Sequence, residues 1–219
     1  MGLGVSVRAP SLVVGAGLLL AATAAWAALL AIGDEMPMGA GLWLGAWTAM
    51  MAAMMLPSAS PLVLLYGRRS TASHSALLTA GYLLVWAATG LVAYEVVMRL
   101  PNPGNRVVGA VLIAAGLYEL TPLKTACLKR CRSPVDFLVT HWHPGKLGAL
   151  RLGVEHGAYC VGCCWALMSV LVVAGSMSLA WVVAIALVVA GEKLLPGGQL
   201  LGRVAGVGFL VAGIIVVVV

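Results

Sequence analysis

Charge is scarce in this sequence: only 9% of its 219 residues are Asp, Glu, Lys or Arg, against about 25% in a soluble domain. That deficit excludes an ordinary water-soluble fold, which has no means of hiding so much apolar surface. The apolar–polar alternation of a barrel strand is also missing. Helices are then the only element able to cross a bilayer. There is no P-loop, and no segment between apolar runs is long enough for a soluble ATPase domain, so ATP-driven pumping by this chain is excluded. The net charge of +6 sits in short clusters without interleaved aromatics. Those clusters read as topology signals rather than as a nucleic-acid surface. No cysteine spacing matches the CxxC…CxxC pattern of a structural zinc site.

What is present is apolar sequence: 62% hydrophobic residues and a mean hydropathy of +1.06. The fold expected is an all-α polytopic transmembrane bundle forming one domain over 1–219. About seven runs approach the roughly 20 residues needed to span the hydrocarbon core, and six are also admissible because the sixth is short. They cover 11–33, 43–66, 75–98, 107–126, 153–174, 178–192 and 203–219, with a loop at 127–152. The run from Ser11 to Ile32 is long for a signal peptide and is taken as the first span. The Met1-Gly2…Ser6 pattern for myristoylation carries little weight. Gly202 and Gly206 form a GxxxG packing pair.

Placing the N-terminus in the cytosol puts Arg8, Arg68, Arg69, Lys129, Arg130, Arg132, Lys146, Arg151, Lys193 and Arg203 inside. Only Arg99 and Arg106 then fall outside, and the first outer loop carries Asp34 and Glu35. This satisfies the positive-inside rule. Loop 127–152, with Trp142 among basic residues, reads as an interfacial segment on the anionic leaflet.

Two helices carry unusual side chains. The second span contains Met50, Met51, Met54 and Met55, two overlapping MxxxM pairs that stack as adjacent thioether stripes. Pro57 and Pro61 follow on the same helix, and each removes a backbone donor. The fifth span aligns His156, Cys160, Cys163, Cys164 and Met168 along one face. Cys127 and Cys131 lie four apart at the inner end of the fourth span, among Lys124, Lys129 and Arg130, which favour thiolate. His141 and His143 flank Trp142. Thiols and thioethers are soft ligands that suit Cu(I) and ignore hard cations, so Cu(I) is the expected metal and Zn(II) the weaker alternative. Glu119 is a proton acceptor or polar partner for the sulfur site. Glu192 and Lys193 close the sixth span, where a pair between them is one reading and a simple interfacial position for Glu192 the other.

Four segments carry a resemblance: Trp47–Pro57, Tyr118–Pro134, Gly157–Met168 and Glu192–Pro196. Over most of the chain from the second helix onward, the sequence resembles a bacterial family of predicted metal-binding integral membrane proteins, domain of unknown function 2182. The resemblance implies a multi-pass protein of the bacterial inner membrane that binds metal. Gln is usual in that family where this chain has Glu119, so an acid–base role for Glu119 is not implied. The leading reading is therefore intramembrane binding, with translocation or delivery, of Cu(I) through the Met and Cys stripes. Its partners would be the lipid bilayer and a metal-donor or metal-acceptor protein, and an oligomer is compatible with it. A membrane thiol oxidoreductase and an assembly subunit without metal are the alternatives; binding is favoured over catalysis.

Overall fold

The computed structural model describes residues 9–33, 39–101, 103–173 and 178–218. Arg8, the Met1-Gly2…Ser6 pattern and the Asp34–Glu35 loop lie outside the described residues. Among the described residues there are nine helices and no strand: α1 (Ala9–Ile32), α2 (Ala40–Gly67), α3 (Ala72–Arg99), α4 (Asn105–Glu119), α5 (Pro122–Arg132), α6 (Pro134–Thr140), α7 (Gly145–Val173), α8 (Leu179–Leu194) and α9 (Gly198–Val218).

Five of these, α1, α2, α3, α7 and α9, are long and apolar enough to cross a membrane. Helices α4 and α5 pass that test only as a pair, bent by 64° at their junction, which makes six. Helix α8 has 16 residues, about 24 Å at 1.5 Å per residue, short of a core of roughly 30 Å. The bend at α4–α5 has a local cause. Thr121 caps α5 by accepting from Lys124 N at 3.3 Å, and Pro122 takes a first-turn position where its missing N–H costs nothing. Ser133-Pro134 restarts the chain as α6, with Pro134 in the first turn and no side-chain cap from Ser133. The segment 127–152, expected as a loop, is thus helical for most of its length.

Helix α2 is the centre of the bundle, packed by α1, α3, α6 and α8. It buries Trp43, Trp47 and all four of Met50, Met51, Met54 and Met55. It runs unbroken through Pro57 and Pro61. Pro61 has no N–H for the carbonyl of Pro57, and Ser60 Oγ donates to that carbonyl instead at 2.8 Å. Trp43 and Trp47 donate their indole N–H groups to Gly90 O and Trp86 O of α3 at 3.2 and 2.9 Å. Helices α1 and α9 leave Leu12, Leu19, Leu20, Ile214, Ile215 and Val218 exposed, an apolar surface that lipid covers.

Helices α3 and α7 meet along a seam of small residues. Gly81 lies against the carbonyl of Leu150, Gly153 against that of Leu78, and a Cβ at Gly157 would stand 3.2 Å from Tyr82 O. No larger residue permits this backbone approach. The seam sets Tyr82 of α3 directly beside Cys160 of α7. On α9, Gly206 presents its carbonyl to Gly116 of α4, so the expected GxxxG pair does form a packing surface.

Candidate metal centre

Halfway along α7, three buried thiols converge. The Sγ atoms of Cys160, Cys163 and Cys164 all lie within 4.8 Å of one another. Cys163 Sγ is 3.4 Å from Cys164 Sγ, and from α5 Cys131 Sγ stands 3.8 Å from it. A metal with bonds near 2.3 Å holds its thiolates roughly 3.8 Å apart, so these spacings suit a shared ion. The five cysteines are free thiols.

Other groups close the cluster. Tyr82 Oη lies 3.0 Å from Cys160 Sγ. Lys193, near the C-terminus of α8, places its Nζ 2.9 Å from Cys160 Sγ, 3.4 Å from Ser58 Oγ and 3.9 Å from Met55 Sδ. Ser58 is turned by its own bond to Met55 O at 2.9 Å. Met55 is therefore the thioether of α2 that meets Lys193 beside the thiol site. Met50, Met51 and Met54 are buried in the core. Met168 lines an apolar cavity with Trp47, Trp86 and Trp165 instead.

The remaining expected residues distribute around this centre. His156 is buried between Tyr82 and Phe137, with ring centroids at 5.7 and 5.0 Å, and its Nδ1 has no partner among the described residues. It lies outside the three-thiol group. Cys127 sits over Gly162, its Sγ 3.0 Å from where a Cβ would stand, also outside that group. His141 stacks on Phe137 at 4.4 Å, and His143 Nε2 is 3.6 Å from Glu155.

Two expectations are corrected. Glu192 and Lys193 do not pair with each other. Neighbours on a helix point about 100° apart at 3.6 residues per turn, and these two enter different sites. Lys124 does not serve the cysteines either. Its ammonium bonds Glu119 Oε2 and lies 2.8 Å from Glu192 Oε1. Arg130 likewise turns to Asp136 at 3.3 Å.

Glu119, Lys124 and Glu192 thus form a second buried polar cluster at the α4–α5–α8 junction, roofed by α9. A Cβ at Gly202 would stand 2.8 Å from Glu192 Oε1 and 3.5 Å from Glu119 Oε2, so glycine there makes room for both carboxylates. Arg132 secures the end of α8. It donates to the carbonyls of Glu192 and of Leu195, the latter at 2.7 Å.

Sequence reasoning does not bring Lys193, Tyr82 and Ser58 to the sulfur site. A lysine at the end of an apolar run is the one available signal, because a charge there is functional or paired.

No curated protein and no solved structure matches the chain. A family profile does, over residues 44–216, which contain every residue of both buried clusters. This match confirms a copper-related family, though under a different family heading from the resemblance above. Covering most of the sequence, it shows that the chain belongs to the PpoB2 family, described as a copper chaperone.

Proposed function

We propose that this protein binds Cu(I) inside the membrane at Cys160, Cys163 and Cys164, with Cys131 as a fourth thiol, and passes it to a partner protein. The observation that carries this reading is the convergence of three buried Sγ atoms within 4.8 Å in a chain of a copper chaperone family. Four thiols and one thioether make a soft donor set, and hard cations gain little from it. The copper is cargo, so a site that both holds and releases it is needed.

Cys131 is the natural exit. It sits on the last turn of α5, it is only half-buried, and it touches Cys163. Thiol-to-thiol transfer then moves the ion from the α7 cluster outward, with Cys127 one turn away on α5. In this reading Met50, Met51 and Met54, which precede Met55 on α2, form the approach to the site. With the N-terminus cytosolic, in the inner membrane of a bacterium, α5 and Cys131 face the cytosol, and the approach runs from the outer half.

The test is anaerobic loading of the purified full-length chain in detergent. The wild type is expected to retain Cu(I) against a moderate chelator, and a Cys160→Ser/Cys164→Ser variant is expected to lose it. Equal retention by both sinks the assignment of the site.

A further inference from the structure

The two buried clusters are mismatched in charge, and Lys193 is the residue that connects them. Its side chain is buried, at 8% exposure. An ammonium has three protons to donate, and here the partners are Cys160 Sγ, Ser58 Oγ and Met55 Sδ. Among the described residues no carboxylate pairs with it. Lys193 therefore sets its Nζ among the soft donors, in the place where a soft cation would sit.

Next along α8, Glu192 has the opposite problem. Its Oε1 receives Lys124, while its Oε2 is buried with no partner among the described residues. Glu119 Oε1 is in the same condition. One ammonium is shared by two carboxylates there, and a buried acceptor without a donor is costly. Lys193 follows Glu192 directly on α8, and its four-carbon stem is flexible.

We propose that Lys193 is a tethered cation that leaves Cys160 when Cu(I) enters, turns to the free oxygen of Glu192, and returns when the ion departs. The proposal rests on the Cu(I) reading above. At Cys160 the exchange puts one monovalent cation in place of another, and each further thiol that binds Cu(I) as thiolate gives up its proton to solvent. Lys193 is in this way a release device, and its return to Cys160 favours handing the ion on.

The deciding experiment uses the wild-type chain with lysine labelled at 15Nζ, observed by NMR before and after one equivalent of Cu(I). Lys193→Arg assigns the signal. The Lys193 resonance is expected to move on loading while the other lysines stay. A double-mutant cycle supplies the second readout: Glu192→Gln is expected to weaken Cu(I) binding by about 10-fold, and to add nothing in a Lys193→Met background. A Lys193 signal that is unmoved while the wild type binds Cu(I), or a Glu192→Gln effect of equal size in both backgrounds, overturns the exchange and leaves the copper site standing. If the wild type binds no Cu(I), the copper reading falls and the exchange falls with it. Should Lys193→Met fail to fold, the wild-type signal alone decides.

Discussion

The protein buries two polar clusters a few residues apart, and they are built on opposite principles. The first gathers thiols from α5 and α7 around the ammonium of Lys193, with no carboxylate among the described residues. The second gathers two carboxylates around the ammonium of Lys124, with no sulfur among the described residues. The second is an ion-pair clasp that joins α4, α5 and α8, and its worth lies in holding the bent helix pair in place. The first contributes little that an apolar core would not, because thiols pack as small hydrophobes. A cluster that collects five soft atoms points to a ligand. A cluster that pairs charges from three helices points to architecture.

Variants can break or sharpen that contrast. The largest effect is expected from replacing Cys160, Cys163 and Cys164 by Ser together. Retained Cu(I), measured by metal analysis after chelator challenge, should fall to background, while thermal unfolding in detergent stays close to wild type. Collapse of the fold in that variant would erase the distinction between the clusters. Lys124→Met should do the reverse. It strands two buried carboxylates and is expected to cost about 3–5 kcal/mol of stability, read as a lowered unfolding temperature and reduced folded yield. A Lys124→Met protein as stable as wild type would show that the clasp holds nothing.

Smaller effects refine the boundary. Glu119→Gln keeps the shape but removes a charge facing Lys124, and is expected to cost about 1–3 kcal/mol in the same unfolding assay. Copper retention should be unchanged, which separates Glu119 from the sulfur site. Tyr82→Phe removes the hydroxyl beside Cys160. It should shift Cu(I) affinity by a few-fold at most, measured by competition with a chelator, with no change in stability.

Much of this arrangement is legible in the amino-acid sequence. The apolar runs, the buried Met stripe of α2 and the one-sided spacing of His156, Cys160, Cys163 and Cys164 follow from a period of 3.6 residues. The Gly206 packing surface follows from spacing as well. The parts that are not legible have physical reasons. An apolar-run criterion reads through Thr121-Pro122, because hydropathy averages over the cap and the proline that end α4 and start α5; the cap chemistry itself is visible in those two residues. The short α6 is hidden in the same way behind Ser133-Pro134. Adjacency in sequence pairs Lys193 with Glu192, although side chains at adjacent helix positions leave the axis about 100° apart and here meet different partners. That Cys131 rather than Cys127 meets Cys163 depends on how α5 crosses α7, a tertiary fact with no local signature.

The contrast rests on sulfur alone holding the metal. X-ray absorption at the copper edge of the Cu(I)-loaded wild-type chain, compared with its Cys160→Ser/Cys163→Ser/Cys164→Ser variant, tests this most directly. The account predicts a first shell made only of sulfur in the wild type and no bound copper signal in the variant. A shell containing nitrogen or oxygen, or the same spectrum from both proteins, would contradict it.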